Sequence, residues 1–457
     1  MSGSAGATLL ASLGNTTNVK NEYSRINEFV NVFTDIKINY FKSVYRPNVL
    51  FSLAYYKQEF KSGFNWGQQN SRAELTHDST GDLLSKIFLV VELPELKYKN
   101  DNNVLLPFDK TQGGYTNSIG HALIDKVIFK VDEQILDIQY GMWFEIWSEL
   151  TTPESQREAL YEMLGKKDSI TDILGNAERP NTYIIPINFW FCYNYGLALP
   201  LIALNQTTTS VHFSIKDFQN VYILKDSSAG TPEYASITNA YLLCEYVYLT
   251  IDDRLRTKNN PHVYLVDYVQ MITEDVHPNA SVATINLNYL NPVKSIYWVF
   301  REKNSVDAND HFNFSRKDQD GLFELDPDQT VLMSKCKIKI NQTDMTPELP
   351  EKFYRCLQQF MRHTHSAKKH IYMYSWALYP EKIQPSSYIN FSSFDSNTIN
   401  LEFNVTSPPN KKTYSSIDGS ILTDVTYAKN PLDITIFALT ANIFVIKNGG
   451  GSFEFEH

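Results

Sequence analysis

The sequence predicts an all-β protein that is built as two similar β-sandwiches in tandem. Three observations support this fold class: short segments in which apolar and polar residues alternate, a high share of aromatic residues, and an order of elements that appears twice. Aromatic residues make up 13% of the 457 residues and charged residues only 20%, a balance that suits strands packed face to face. A chain of this length is also expected to form two domains of about 200 residues each.

Alternation of apolar and polar residues indicates strands with one face on a core, because successive side chains of a strand point to opposite faces. The apolar positions of four such segments are Val211, Phe213 and Ile215; Ile285, Leu287 and Tyr289; Cys336, Ile338 and Ile340; and Ile399, Leu401, Phe403 and Val405. Clusters of Asn, Asp, Gly and Pro separate the segments, as they do in sandwiches and barrels.

The order of the elements repeats in the two halves, although residue identity between the halves is slight. Each half has a strand region, a helix, an aromatic strand and two further strands, in that order. The first series is Lys126–Ile138, the helix at Trp143, Asn188–Tyr193, Ser210–Ile215 and Tyr241–Ile251, and the second is Lys335–Asn341, the helix at Phe353, Ile371–Pro380, Ile399–Val405 and Asp433–Ile446. The hydrophilic stretch from 252 to 262 is the expected linker.

Two helices in the first half have clear sequence signals. Trp143, Trp147 and Leu150 recur at helical spacing. A second helix should then start with Thr152 as its N-cap, since a proline and a glutamate follow it. Gly165 predicts the end of that helix.

In the second half one helix carries an apolar stripe. Its residues are Phe353, Cys356, Leu357, Phe360 and Met361. Amphipathic helices normally turn such a stripe toward the protein interior, so we expect these side chains to face a core.

The most apolar stretch, Ile184–Leu204, has the length of a transmembrane helix, which needs about 20 residues. Pro186 and Pro200 would each break a helix interior, and the aromatic residues between them favour strands. We therefore expect two buried strands joined by a bend rather than a membrane span.

Charge and cysteine content exclude several classes of function. The net charge of −10 disfavours general or sequence-specific binding to nucleic acid, which needs clustered Lys and Arg. The four cysteines, Cys192, Cys244, Cys336 and Cys356, form no CxxC pair, and we expect reduced, buried thiols. The beginning of the sequence has no basic region before Lys20, so a secretory signal is not expected.

No catalytic or cofactor motif is evident, and the prediction is a non-enzyme without cofactor or metal. The phosphate-binding GxxxxGK[ST] loop, HExxH and GxSxG are all absent from the sequence. His363, His365 and His370 are the best metal candidates, but such sites normally include a carboxylate. Since no Asp or Glu occurs between Lys352 and Pro380, we expect these histidines to lie in a solvated loop.

Seven Asn-x-Ser/Thr sequons occur in the chain, at Asn15, Asn205, Asn279, Asn313, Asn341, Asn390 and Asn404. Asn341 follows a strand and Asn279 lies beside a proline, so these two are the positions most expected to be exposed and glycosylated.

The segment from Pro186 to Leu204 resembles a signature of the major capsid proteins of nucleocytoplasmic large DNA viruses. Other segments of the chain resemble the family in the expected order. They are Tyr40–Leu53, Gly81–Leu96, Gly120–Phe129, Gln139–Leu150, Phe312–Arg316, Lys368–Ser392 and Ile436–Ile446.

The resemblance implies two tandem eight-stranded jelly rolls with short helices in their loops. With the small-residue start of the chain taken as an arm, the expected division is a flexible N-terminal arm at 1–24, the first jelly roll at 25–253, a linker at 254–263 and the second jelly roll at 264–457. The resemblance further implies homotrimers of pseudo-hexameric outline that tile an icosahedral virion shell and are assembled in the host cytoplasm. Expected partners are neighbouring trimers, minor capsid and penton proteins, and the internal viral membrane through the arm. The alternative is a tandem jelly-roll carbohydrate-binding or fibre protein.

Overall fold

The computed structural model describes residues 50–75, 81–100, 102–225, 229–277, 280–315, 331–395, 398–405, 412–415, 421–425 and 431–455. The predicted arm at 1–24 lies outside the described residues. So do the residues of the implied first jelly roll that precede 50.

Strands predominate in both halves. Those of the first half are β1 (Phe51–Glu59), β2 (Ser71–Leu75), β3 (Leu83–Leu93), β4 (Lys97–Lys99), β5 (Leu105–Pro107), β6 (Gly113–Tyr115), β7 (Ile124–Val131), β8 (Gln134–Tyr140), β9 (Asn181–Ile187), β10 (Thr209–Ile215), β11 (Tyr222–Leu224) and β12 (Asn239–Leu249). Those of the second half are β13 (His262–Val276), β14 (Val282–Asn286), β15 (Pro292–Glu302), β16 (Met333–Ile340), β17 (Thr343–Asp344), β18 (Leu349–Pro350), β19 (Tyr372–Ser375), β20 (Ile389–Asn390), β21 (Ile399–Val405), β22 (Lys412–Ser415), β23 (Ile421–Val425), β24 (Leu432–Lys447) and β25 (Gly450–Phe453).

The helices are short and lie between strands. They are α1 (Ile119–Ala122), α2 (Gly141–Thr151), α3 (Glu154–Leu164), α4 (Ile170–Ile173), α5 (Ile251–Asn259), α6 (Lys303–Asp307), and a π-helical turn (Phe353–Leu357) that continues as α7 (Gln358–Arg362). Turns of 3₁₀ helix occur at Trp190–Cys192, Tyr195–Leu197, Leu201–Ala203, Phe218–Asn220 and Phe391–Ser393.

Each half is a sandwich of two sheets with the same strand order. In the first half the sheets run β1-β12-β3-β9 and β2-β10-β7-β8. In the second half they run β13-β24-β15-β19 and β14-β21-β16-β17, with β18, β20 and β25 added at the sides. The strands correspond in order: β1, β12, β3 and β9 to β13, β24, β15 and β19, and β2, β10, β7 and β8 to β14, β21, β16 and β17. This arrangement confirms the expected fold of two tandem eight-stranded jelly rolls.

The duplication extends to an irregularity in the backbone. The pairing of β3 with β12 skips Ser85, and the pairing of β15 with β24 skips Lys294. Such β-bulges leave one residue unpaired and bend the strand. Because the bulges lie at the same place in both halves, they give a residue-by-residue alignment of the two sheets.

Helix α5 lies where the sequence places the linker, between the last strand of the first half and the first strand of the second. Its first turn carries Asp252 and Asp253 and its last turn Arg256 and Lys258, which matches the polarity of the helix dipole. Arg254 fixes the helix to the first sandwich through Asp82, with Nε 2.8 Å from Oδ1. The exact domain boundaries stay a prediction.

Two helices of the first half agree with the sequence, except at one cap. Helix α2 carries the predicted tryptophans, and α3 ends at Gly165, which has a left-handed φ of 70°. The N-cap of α3 is Pro153 and no side chain caps it. The predicted cap at Thr152 is therefore wrong by one residue.

The aromatic segment after β9 is a series of turns, so the predicted second strand at Asn188–Tyr193 is wrong. The amide of Cys192 donates to the Phe189 carbonyl at 2.8 Å, which closes a tight turn. The neighbouring rings of Phe189, Trp190 and Phe191 are fully enclosed. Aromatic residues favour strands mainly because they suit buried positions. A buried segment that is not a strand can therefore be just as rich in aromatic residues. Among the described residues, no helix is long and apolar enough to cross a membrane.

The stripe predicted to face a core in the second half is largely exposed, with Leu357 45%, Phe360 79% and Met361 54% accessible, and Cys356 is exposed as well. The prediction assumed 3.6 residues per turn, but the π-helical turn at Phe353–Leu357 closes hydrogen bonds over five residues. It therefore buries Tyr354 and Gln359, which are five apart, and rotates the apolar side chains outward.

Candidate functional site: the junction between the two halves

A hydrophobic cluster separate from the two sandwich cores joins the halves. The first half contributes Ala122 and four side chains of α2, namely Trp143, Ile146, Trp147 and Leu150. The second half contributes the outer face of its β13-β24-β15-β19 sheet and nearby residues, namely Val269, Tyr297, Val299, Phe312, Phe314, Ile371, Met373, Phe437 and Leu439. All are buried, so the two halves form one continuous packed body rather than flexibly linked domains.

Two stacked tryptophans form the centre of this junction. The rings of Trp143 and Trp147 are 5.2 Å apart and nearly parallel. Across the junction, Trp143 lies 5.4 Å from the Tyr297 ring and 5.5 Å from the Phe437 ring. Aromatic pairs at such distances contribute about 0.5–1.5 kcal/mol beyond their buried area. These pairs therefore stabilise the packing of α2 on the sheet of the second half.

A buried carboxylate on the same helix binds cations from both halves. Oε1 of Glu145 accepts from Nζ of Lys166 at 2.8 Å and from Nζ of Lys369 at 2.6 Å. Its Oε2 lies 2.8 Å from Nδ1 of His121. Burial alone would raise the pKa of Glu145, but the two lysines and His121 hold the pKa well below its usual value. Burial lowers the pKa of His121, which favours the neutral ring.

A second buried carboxyl connects the halves through the backbone. Oδ1 of Asp137, on β8, accepts from the amide of Val269, on β13, at 3.2 Å. Burial raises the pKa of Asp137 to about 7. Nearby, Asp267 pairs with the enclosed Lys294 at 2.7 Å, and burial raises the pKa of Asp267 to about 6. Burial therefore disfavours the charged form of both carboxyls.

The apolar stretch that stands out in the sequence also belongs to this junction. Phe189 and Phe191 pack on Phe129 in the first core, each 5.2 Å away. Trp190 instead packs on Tyr264 of the second half at 5.2 Å. The stretch therefore closes the first sandwich and fixes it to the second.

Two of the candidate histidines are hydrogen-bonded to other side chains. Nδ1 of His363 lies 2.8 Å from Glu381, and its Nε2 lies 3.0 Å from the Tyr297 hydroxyl. His365 accepts from Arg157 of the first half, and burial lowers the pKa of His370 to about 4. Within the described ranges, no group of three His, Cys, Asp or Glu side chains is placed to hold a metal ion.

The prediction that these histidines lie in a solvated loop is wrong for His363, whose side chain is fully buried at the junction. Its partner carboxylate, Glu381, follows directly after the segment from Lys352 to Pro380. The absence of Asp and Glu from that segment was the argument against a metal site. Here the pair orders the loop, since Thr364 also donates to Glu381 through its amide at 2.7 Å.

Of the two predicted glycosylation positions, Asn341 is exposed in the turn after β16, with its amide bonded to the Thr398 carbonyl. Asn279 lies outside the described residues. Glycosylation at either position stays a prediction.

All four cysteines are free, as expected. Cys244 and Cys336 are buried and Cys192 is half-buried. The expectation of a buried thiol is wrong for Cys356, which the π-helical turn leaves exposed. Sequence reasoning missed Glu145, Lys369 and Asp137. The sequence does contain a sign of the role of Glu145, because this residue lies among the apolar residues of α2. A carboxylate that is buried with its helix needs cationic partners to offset its lost hydration.

Comparison with known proteins agrees with this architecture. Residues 39–250 match the family described as "Major capsid protein N-terminus", and residues 253–452 match "Large eukaryotic DNA virus major capsid protein". The chain is similar to the major capsid protein of Phaeocystis pouchetii virus, with 24% identity over 92% of this chain and 96% of that protein. It is 30% identical to capsid protein 1 of Acanthamoeba polyphaga mimivirus over 57% of this chain, but spans only 45% of that protein's length.

A solved structure shares the fold. The capsid of PBCV-1, a quasi-atomic model, superposes with a TM-score of 0.73 at 20% identity, covering 92% of this chain and all of that one. The two family matches follow the two halves of the structure, and together they extend from residue 39 to residue 452. The chain therefore belongs to the major capsid proteins of large eukaryotic DNA viruses and is a structural protein of the virion.

Proposed function

We propose that the chain forms homotrimers of pseudo-hexameric outline that tile an icosahedral shell. The observation that carries this proposal is the duplication: two sandwiches of the same strand order, held in one fixed orientation by the Trp143 helix and the Glu145 ion cluster. Three chains then present six similar units around one axis, so a threefold assembly can occupy a sixfold position in a lattice.

Rigidity of the junction is what this function requires. A hinged pair of domains would give a tile of variable shape, and errors in shape accumulate over a closed shell. The junction instead combines apolar packing with a buried ionic cluster, in which Lys369 and Glu145 fix the register of the two halves. Contacts between trimers should be smaller and more polar than those within a trimer, so that misplaced tiles can dissociate.

Light scattering with electron microscopy tests the proposal. The purified chain should have a mass three times the 52.5 kDa of the single chain, and negative-stain images should show hexagonal particles. A monomer at micromolar concentration, or a ring of another symmetry, would refute the trimer.

Other parts of the proposal concern partners and place. We propose that the trimers contact minor capsid and penton proteins, that the arm at 1–24 faces the internal viral membrane, and that assembly takes place in the host cytoplasm. We also propose that the chain is not an enzyme and binds no cofactor. The family assignment supports the capsid role, and not the alternative of a carbohydrate-binding or fibre protein.

A further inference from the structure

We propose that the contact between neighbouring chains repeats the junction that the two halves make within each chain. In this arrangement the helix at 351–362 of one chain packs on the outer face of the β1-β12-β3-β9 sheet of the next chain. The inference rests on the proposed trimer and assigns the surfaces that build it.

The duplication provides an alignment of the two helices. Strands β7 and β16 occupy the same place in the two sandwiches, and strand pairing aligns Lys126 with Lys335. Opposite these lysines lie Tyr140 and Pro350, the last strand residues before the two helices. Helix α2 and the helix at 351–362 are therefore the same element of the jelly roll.

The side chains that each helix directs into its own sandwich confirm this alignment. Phe144 lies in the core of the first sandwich and Tyr354, its counterpart, in the core of the second, both without solvent exposure. The helices differ in the turn that follows Tyr354, which is π-helical and rotates later residues by the equivalent of one position.

The opposite side of the helix is covered in one half and open in the other. Trp147 and Leu150 are buried against the second sandwich. With the rotation by one position, Leu357 and Met361 are the counterparts of Ile146 and Leu150, and they are 45% and 54% exposed. Gln358, the counterpart of Trp147, is buried, whereas Phe360 beside it is 79% exposed. An apolar cluster on a helix whose twin is an interface element is typical of a protein contact site.

The sheet that would receive this helix shows the same contrast. Counted three residues on from the bulges at Ser85 and Lys294, Phe88 corresponds to Tyr297. Tyr297 is fully buried under α2, whereas Phe88 is partly exposed on the outer face of its sheet.

The edge strands of the two sheets align in the same way. Tyr55 corresponds to Val269. Tyr55 pairs with Glu245 and Val269 pairs with Leu439, and each of these partners lies beside the bulge of its own sheet. Val269 is buried in the junction, but Tyr55 is 57% and its neighbour on the same face, Leu53, is 40% exposed. The outer face of the first sheet is thus exposed along its β1 edge, where the same edge of the second sheet is covered. Val90 and Glu245, further in on that face, are buried.

Each chain therefore has one junction already made, one open helix and one sheet face that is open along its β1 edge. The two open surfaces differ from each other, so a contact between them is heterologous, and heterologous contacts close into rings when the rotation permits. Three chains joined in this way alternate internal and external junctions of one kind around six sandwiches. A second copy of the chain is the occupant that the internal junction specifies for both open surfaces.

Charge variants on the two surfaces test the assignment. Leu357→Glu with Phe360→Glu alters the helix, and Leu53→Arg with Tyr55→Arg alters the sheet. Each pair should reduce the mass measured by light scattering from that of three chains to that of one. All four changes in one chain place acids opposite bases and should restore the trimer. Leu105→Glu, at a comparably exposed leucine, is the matched control and should leave the mass unchanged.

The outcomes separate this inference from the proposed function. If the wild-type chain is a trimer and either pair of changes leaves it so, these surfaces do not form the contact, although the trimer stands. A quadruple variant that stays monomeric would show that the two surfaces do not face each other. A monomeric wild-type chain would refute the trimer itself. Near-ultraviolet circular dichroism checks folding, and Gln in place of Glu and Arg is the milder series if a variant is unfolded.

Discussion

Nζ of Lys369 lies 2.6 Å from Oε1 of Glu145, so a cation from the second half is bonded to a carboxylate that the first half buries completely. The two residues are 224 positions apart in the chain. Removing one member of a buried ionic cluster is costly because it leaves the others desolvated without a partner.

We expect Glu145→Gln to lower the free energy of unfolding by about 3–5 kcal/mol, since Lys166 and Lys369 both lose their shared charge partner. Urea denaturation followed by tryptophan fluorescence measures the loss. Glu402→Gln is the control, because Glu402 pairs with Lys337 and Lys339 on the partly exposed surface, where such pairs contribute less than about 1 kcal/mol. Equal losses in the two variants would contradict the role assigned to Glu145.

The junction should respond to pH through Asp137. Its folded pKa is about 7 against an ordinary value of 3.8, so the folded state binds the proton more tightly than the unfolded state. Stability from this group is therefore fully present below about pH 4 and is lost as the pH rises through 7, by about 4 kcal/mol at most.

Asp137→Asn removes this dependence, and the difference in unfolding free energy between wild type and variant isolates it. Buried histidines such as His311, whose pKa burial lowers to about 4, have the opposite pH dependence but are common to both proteins. The stability of the wild type relative to the variant should fall steadily between pH 4 and 7. A difference that is constant over this range would refute the raised pKa.

Trp147→Ala should weaken the junction specifically. Deleting a buried aromatic side chain costs about 3–5 kcal/mol, and here the cavity would open between α2 and the Tyr297 strand. Amide hydrogen exchange should increase in α2 and at 371–373, while β16 keeps its protection. Tyr388→Ala, at an exposed position, should change stability by less than about 0.5 kcal/mol. Uniform acceleration of exchange throughout both sandwiches would argue against a local effect.

Gly165→Ala should destabilise the end of α3 by about 1–3 kcal/mol. The residue has a φ of 70°, and a Cβ there would lie 2.4 Å from Cε1 of Tyr183, a buried ring. Gly63→Ala provides the matched control, because Gly63 has a similar φ of 76° but its nearest atom would be 3.8 Å away. Thermal unfolding should show a clearly larger loss for Gly165, and similar losses would mean that the contact with Tyr183 is unimportant.

Much of the fold could be predicted because strand alternation is a local signal. Val211, Phe213 and Ile215 all lie on β10 with buried side chains, as their spacing indicated. The duplicated order of elements then required two sandwiches, and the strand orders agree with that requirement. The segment at Trp190 was mistaken for a strand because composition reports burial but not the backbone path that achieves it.

The junction could be predicted much less well, since its contacts join residues that are far apart in sequence. Lys369 carries no local sign that it will meet Glu145. Phe360 was placed in a core because a regular helix was assumed, and one π-helical turn is enough to bring it to the surface. His363 lacked an acid within the basic loop, but Glu381 reaches it from the next segment.

The bulge shared by the two sheets has a consequence for how the halves can diverge. In both, the skipped residue contacts a carboxylate of a nearby strand: the Ser85 hydroxyl donates to Oε1 of Glu245 at 2.7 Å, and the Lys294 ammonium binds Asp267. One position thus tolerates a small neutral group or a long cation, since the kink is a property of the main chain. A substitution at this position can therefore change the charge of one sandwich without changing its backbone, and the shape of the capsid subunit is kept.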